Sequence, residues 1–254
     1  DSNPDLILIY QERIDLSMEM WLLHLAALEE HERWVRRGRQ GSGCLVLENE
    51  DLKNAVLPGF NLVAARFKGC DFSQANIRGG NLTSIQLINC IWDNAMLEMA
   101  TLDQAVIENC QFVGAYLNVG HFIEAQIRGG DWSKIDLHRS TWTNAQIRDV
   151  CFQNARFQGA KLHNTRLINC DLKGANIAAM TPDNAVFERC DFRHCDLNYL
   201  KLKNTLFNKC GFYGCTGTPT LEGECQVIEP DLSKNFDGSK IVDTEKLFQL
   251  WGLG

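Results

Sequence analysis

Every fifth residue from Leu47 to Phe212 is large and apolar. Of these 34 positions, 33 are Leu, Ile, Phe or Trp, and the exception is Pro182. A helix cannot keep a buried stripe at that interval, because 3.6 residues per turn carries it around the axis. Extended chain can, provided that something turns it after each step. Two residues before each large position lies a second register that is mostly small, as in Ala65, Cys70, Ala75, Gly80, Cys90 and Ala95. Residues i and i−2 of an extended segment point the same way, so each unit buries one small and one large side chain. The residue between them is usually polar, as in Asp71, Asn76, Asn81 and Asp191. Two positions after the large residue, Asn or Gly stands in 18 of the 33 units from Asn54 to Gly214. These are the residues that best tolerate positive φ. The unit is therefore a short extended segment and a corner.

A second period multiplies the first. Cysteine recurs at 20-residue steps, at Cys70, Cys90, Cys110, Cys170, Cys190 and Cys210, with Gly130 and Val150 filling the gap. Four units of five make one lap with four corners, so the chain returns above its starting point. The cysteines then form an inward column on one wall. Phe72, Trp92, Phe112, Trp132, Phe152, Leu172, Phe192 and Phe212 form a larger stack beside it. With coils paired at the ~4.8 Å strand spacing, about eight coils give a rod of about 40 Å. Cys151, between inward Val150 and Phe152, is expected to face outward.

In these features residues 45–215 resemble pentapeptide-repeat proteins, the family built on an A-(D/N)-L-x-x unit. The resemblance implies an all-β solenoid, a right-handed quadrilateral β-helix of about eight coils. Trp92, Trp132 and Trp142 at the central position, and Ile85, Ile135, Met180 and Leu200 at the small one, are bulkier than the family norm. They predict local bulging of the coil. Pro182 lacks the N–H that a coil uses, and two readings stand: a tolerated kink, or a recognition protrusion.

The chain divides into an N-terminal helical cap (1–43), the repeat body (44–215) and a C-terminal loop with a short helix (216–254). Residues 17–37 read as a helix with Ser17 as N-cap, Glu29–Arg33 and Glu32–Arg36 as i,i+4 pairs, and Gly38 as terminator. Met20, Leu23, Ala27 and Trp34 lie broadly on one side, fit to cover the first coil. The phrase HERWVRRGRQGSG also resembles a leader that precedes the repeats in many bacterial members, on His31, Trp34, Gly38 and Gly41. That implies a structural cap, with His31 packing and hydrogen-bonding rather than ligating. Residues 216–240 leave the period and read as loop. Asp243 is a candidate N-cap for a helix carrying Leu247, Phe248, Leu250 and Trp251, which reads as a C-terminal cap or as a dimerisation or partner-docking peptide.

Little in the sequence promises chemistry. Cys190/Cys195 and Cys210/Cys215 form two C-x4-C pairs, but their spacing is the period of the fold and zinc motifs usually use C-x2-C, so no metal and no cofactor are expected. The six histidines, His24, His31, His121, His138, His163 and His194, join no Ser/His/Asp set. "RGG" at 78–80 and 128–130 is a repeat corner with no helix after it. The expectation is a non-enzyme. Eleven cysteines, an odd number and mostly periodic, imply reduced thiols and a cytoplasmic setting. Secretion by a route without a signal stays open, since the chain starts at Asp1 and an upstream segment is expected to have been removed or to lie outside this sequence. No run approaches the ~18–20 apolar residues of a membrane span.

The net charge of −7 splits unevenly. Residues 44–215 carry 17 acidic and 17 basic side chains, while residues 1–43 and 216–254 sum to −3 and −4. Some members of the family resembled mimic B-DNA and protect DNA gyrase from inhibitors, which needs a strongly negative wall. Here the body is neutral, and Arg66, Lys68, Arg78, Arg128, Arg148, Arg156 and Arg166 are read as interrupting the acids. By the same count no basic stripe survives, so direct nucleic-acid binding is not expected. Outward apolar residues point elsewhere. Met96 and Met99 flank Leu97, and one coil later Tyr116 and Val119 flank Leu117, which predicts a contiguous patch, with Val56 and Tyr199 farther along that wall. The function expected is a non-enzymatic scaffold that binds a protein partner, or a second copy through the patch or the C-terminal segment. The alternatives are the gyrase-protecting DNA mimic and a secretion-associated effector or accessory module.

Overall fold

The computed structural model describes residues 18–253 of the chain, with side chains from residue 26 onward. Ser17 and the side chains of Met20, Leu23 and His24 lie outside the described residues. Helix α1 (Met18–Arg36) leads into a parallel β-solenoid of about nine turns, and helix α2 (Thr244–Leu250) follows it. One wall forms a 10-stranded parallel sheet of three- and four-residue strands, from β1 (Val46–Glu48) to β12 (Cys225–Ile228). The other three walls repeat as columns of single bridges, such as Asp51↔Asp71, Val56↔Asn76 and Asn61↔Asn81. Each residue of the sheet pairs with its counterpart one full lap on, as in Phe67↔Leu87 and Ile127↔Ile147.

All 33 corners from Asn54 to Gly214 have positive φ, between 51° and 71°. Each quintet distributes its N–H groups in the same way. Asp71 donates back to Glu50 (2.9 Å), Phe72 and Gln74 donate forward to Ile91 (2.7 Å) and Asp93 (2.9 Å), and Ala75 closes the corner onto Phe72 (3.0 Å). Backbone polar groups that a β-turn would leave half satisfied are thus paired between coils. Pro182 has no N–H to give to Lys201, as its counterparts Trp142 and Leu162 give to Lys161 and Thr181. The site is instead tied by Thr205, which is buried and donates its hydroxyl to the Pro182 carbonyl at 3.0 Å. The corner keeps the common form, with Asn184 at φ 56° and the Ala185 N–H on the Pro182 carbonyl at 3.0 Å, and Phe187 is in register.

The inward columns fill the shaft. The six stacked cysteines are buried. Their thiols mostly point at carbonyls of the coil before, as Cys190 does to Leu167 (3.5 Å) and Cys210 to Phe187 (3.5 Å). A thiol suits this position because it is small, apolar and a weak donor. Gly130 interrupts the column for a steric reason: a Cβ there would lie 2.0 Å from the Cys110 carbonyl oxygen. Aromatic rings stack along the shaft, Phe72 on Trp92 at 4.1 Å and Phe122 on Trp142 at 3.9 Å between centroids. The bulky Trp132, Trp142, Ile85, Ile135, Met180 and Leu200 are all buried. Trp142 also finds a partner, donating to the Ser140 hydroxyl at 2.7 Å.

The solenoid runs one turn beyond the sequence expectation. Residues 216–240, read as loop, include β11 (Thr220–Leu221), paired with β9 (Lys201–Leu202), and β12, paired with β10 (Thr205–Asn208). The register falls one short of a full lap at Lys201↔Thr220 and recovers it at Thr205↔Cys225. That slip removes the apolar residue where Glu222 stands and hides the period. Val227 and Leu232 nevertheless lie one full lap after Phe207 and Phe212, and both are buried.

Each end is covered. At the first coil Leu28, His31 and Trp34 of α1 are buried and Ala27 packs beside them. His31 Nδ1 accepts the Leu45 N–H at 2.9 Å, and Trp34 Nε1 donates to the Gly41 carbonyl at 3.2 Å. Gly38, at φ 70°, turns the chain out of the helix. Glu29–Arg33 (3.9 Å) and Glu32–Arg36 (2.6 Å) pair on the solvent side, where such pairs contribute little. At the last coil Asp243 caps α2 by accepting the Lys246 N–H at 2.7 Å, and Trp251 meets Phe212 at 5.1 Å. Open sheet ends invite pairing with other chains, and both helices block it.

Two outcomes test this description. Alkylation of the native protein should modify half-buried Cys151 and leave Cys70, Cys90, Cys110, Cys170, Cys190 and Cys210 intact; mass spectrometry showing equal rates would mean an open interior. Burial holds the His31 imidazole below its ordinary 6.5, outweighing an opposing contribution from the Gly43 backbone. The unfolded chain therefore takes the proton first, so this group's contribution is present above pH 6.5 and is lost as pH falls through the lowered value. Exchange protection of the Leu45 amide should drop between about pH 7 and about pH 5, and His31→Gln should flatten that dependence.

Candidate functional site

The repeat leaves three outward positions per quintet, and the wall on which each stands follows from its place in the lap of 20. The four apolar residues singled out from sequence fall together on the wall opposite the long sheet. Met96 and Tyr116 are direct bridge partners. Met99 and Val119 occupy consecutive corners, and the Met99 N–H donates to Asn118 next to Val119. Met96 is half-buried, while Met99, Tyr116 and Val119 are 58%, 48% and 41% exposed. Charges rim the patch as ion pairs between coils, Arg78–Glu98 at 3.4 Å and Arg156–Asp136 at 3.2 Å. Tyr199, 74% exposed, stands four coils farther along the same corner column.

Met99, Val119 and Tyr199 share the left-handed conformation of all 33 corners, and among those corners Val119 is the β-branched residue. Val119 sits at φ 59°, Met99 at 59° and Tyr199 at 58°, in a column where Gly59, Gly79 and Gly159 also stand. The left-handed region costs an L-residue about 1–2 kcal/mol, and a β-branched side chain there is an outlier. The stacked coils hold the backbone there, but the side chains themselves return little, being 41–74% exposed.

The other three residues offered to a partner, Leu247, Phe248 and Trp251, face the protein itself. Leu247 and Trp251 are buried and Phe248 packs against the core. Leu250 is the apolar residue of α2 left exposed. The structure brings this helix and the Met96–Val119 patch into no common surface.

Charge is sorted by wall, which a count along the chain cannot see. On the sheet wall of residues 44–215, seven basic residues (Arg66, Lys68, Arg128, Arg148, Arg166, Arg189 and Lys209) stand against Glu48, Glu108, Asp149 and Glu188, a net of +3. The next wall carries seven acids and four bases, a net of −3. The arginines read as interrupting the acids therefore mostly do not: five of the seven basic residues named for that role lie on the sheet wall, and Arg78 and Arg156 lie on the patch wall. On the acidic wall the aspartates hold turns, as Asp71, Asp131, Asp171 and Asp191 each accept the N–H two residues on at 2.9–3.0 Å. Arg193 adds a second tie to Asp191 at 2.6 Å.

Neither C-x4-C pair assembles a ligand set. Cys190, Cys195 and Cys210 are buried, Cys215 is half-buried, and Cys195 and Cys215 donate to the Leu172 and Phe192 carbonyls at 3.1 and 3.0 Å. Burial raises the Cys190 and Cys195 thiols well above their ordinary range and pushes Cys215 up to about 12. Among the described residues no three His, Cys, Asp or Glu side chains are placed to share a metal ion. Also among them, no helix is long and apolar enough to cross a membrane.

A parallel four-walled β-solenoid with a five-residue unit defines a class, and comparison with known families agrees. The pentapeptide repeats model matches residues 51–83, 151–178 and 183–215, and the pentapeptide repeat region model matches 85–162. The chain belongs to the pentapeptide-repeat family. Similar solved structures include HetL, a pentapeptide repeat protein involved in heterocyst differentiation regulation from the cyanobacterium Nostoc sp. strain PCC 7120. It is 17% identical, with a TM-score of 0.37, over 82% of this chain and 97% of that one. QnrB1, a plasmid-mediated fluoroquinolone resistance protein, is 16% identical with a TM-score of 0.44, over 72% of this chain and 92% of its own. Rfr23, from the cyanobacterium Cyanothece 51142, is 18% identical with a TM-score of 0.22, over 70% and 97%. No curated protein matches the chain.

If Val119 is held at its corner against conformational preference, relieving it should stabilise the fold. Val119→Asn is expected to raise the unfolding free energy by about 1 kcal/mol in urea titration; a loss of stability would mean that the valine packs usefully.

Proposed function

We propose that this protein is a non-enzymatic scaffold that binds a protein partner through the patch formed by Met96, Met99, Tyr116 and Val119. The observation that carries this reading is the exposed, β-branched Val119 at φ 59°, beside exposed Met99 and Tyr116. A β-branched residue held at positive φ and left 41% exposed in the free protein has a reason to persist if it is buried in a complex. Methionine and tyrosine suit that use, since one adapts its shape and the other adds apolar area with a polar tip. The rim of paired charges around the patch resembles the polar border of a protein contact. The backbone behind it is hydrogen-bonded from coil to coil, so binding has to order the side chains and not the chain path.

The topoisomerase-protecting alternative draws on the acidic wall, but the charge density is low. A net of −3 is spread over about 40 Å, whereas duplex DNA carries one charge per ~1.7 Å, about 24 over that length. The aspartates also serve the turns they cap.

The test pairs the wild type with the triple variant Met96→Ser, Met99→Ser, Tyr116→Ser. Both should unfold cooperatively at similar midpoints. Sedimentation and affinity capture from the native host should each be run on both proteins. A partner, or a second copy, bound by the wild type and lost by the variant is the expected result. Equal association of the two removes the patch from consideration.

A further inference from the structure

On the sheet wall, opposite the patch, lies a groove of about 320 Å³ lined by β4 (Val106–Glu108), β5 (Gln126–Arg128), β6 (Gln146–Arg148), and by Arg166 and Ile168. Its charged lining is unusual for this molecule. Elsewhere, ionic neighbours in successive coils tend to be of opposite sign and to pair, as in Arg78–Glu98, Asp136–Arg156 and Lys209–Glu229. Where aspartates stack, a cation attends them: Lys53 reaches Asp51 and Asp71 at 3.6 and 3.3 Å, and Arg193 pairs with Asp191 beside its bridge partner Asp171. Arg128 and Arg148 break this pattern. They are register partners in adjacent strands, of the same sign, and neither has an ion pair or a side-chain hydrogen bond among the described residues. Like charges set directly opposite on a sheet are destabilising.

The acids of the wall do not relieve them. Glu188 holds Arg166 at 3.0 Å and also pairs with Arg189. Asp149 accepts from Asn169 at 2.9 Å. Glu108 is the register partner of Arg128, yet forms no ion pair with it. Two unpaired arginines on adjacent strands, at the ~4.8 Å coil spacing, can both reach one oxyanion and bind it through several N–H donors. Gln126 and Gln146, register partners lining the same groove, add amide donors.

We propose that this groove binds a phosphorylated organic molecule, with its phosphoryl group held between Arg128 and Arg148 and its apolar body against half-buried Val106. The volume lies at the lower end of small-ligand sites and exceeds what a bare phosphate needs. A nucleic-acid strand fits less well, because the basic pair is isolated in its column: Ile88 and Glu108 precede it, and Ile168 and Glu188 follow. A track for a polyanion requires cations at continuous intervals.

The test titrates the full chain with phenyl phosphate and with inorganic phosphate by calorimetry. Phenyl phosphate should bind saturably, more tightly than inorganic phosphate, and more weakly as salt rises. The double variant Arg128→Gln, Arg148→Gln should lose about tenfold or more in affinity. The control Arg66→Gln, on the same wall and outside the groove, should change it less than about twofold. The double variant should melt no lower than the wild type at low salt, since a repulsive pair is removed. The proposal is overturned by an absence of saturable binding, by equal affinity for the two anions, by undiminished binding in the double variant, or by a lowered melting temperature, which would make the pair structural. It is overturned equally if a single-stranded oligonucleotide binds more tightly than phenyl phosphate and Arg66→Gln weakens it as much as the double variant does.

Discussion

Every structural feature of this protein depends on a left-handed backbone residue at each fifth position. Thirty-three successive corners share one narrow φ range, from 51° to 71°. At each of them the chain turns onto the next wall while its N–H groups reach the neighbouring coil. An isolated corner of this kind would be a marginal turn. Stacked, each one is templated by the coil before it, so the conformational cost at fifteen corners without Asn or Gly is borne by the packing of the whole. The shaft then has no freedom to adjust locally. A bulky residue such as Trp142 is accommodated by its own hydrogen bond to Ser140, and Gly130 stands where no side chain fits.

This rigidity makes the outer surface informative. Because position in the lap dictates wall and height, every outward side chain is a choice that the repeat does not impose. Most choices serve the fold: the aspartates of one wall cap turns, and the ion pairs between coils on the patch wall and at Lys53 balance charge. Two sets do not. Met99 and Val119 keep apolar groups in solvent at strained corners, and Arg128 and Arg148 hold like charge together without a counter-ion. They lie on opposite walls, so one ligand could occupy either without blocking the other.

Much of this was legible from residue order. The period of five, the cysteine column and the four-fold lap follow from alternation and spacing alone, as do both cap helices and the adjacency of Met96 with Tyr116. The ninth turn is hidden because Gly217 stands one lap after Leu197 and a one-residue slip at Thr220 then displaces the register until Val227. The role of the C-terminal helix was open in sequence, since an amphipathic segment reads alike whether its apolar face meets its own last coil or another chain. In this fold Trp251 packs against Phe212 of the chain's own last coils.

Sequence alone determined the architecture, since a buried residue at every fifth place is compatible with few chain paths and stacking selects among them. What only the tertiary structure decided is how charge and strain are distributed. Summed along the chain, the body is neutral; folded, residues one lap apart become neighbours, and the same charges separate into a basic wall and an acidic one. Pairing is a property of distance between side chains, and so the isolation of Arg128 and Arg148 emerges only once the coils are stacked.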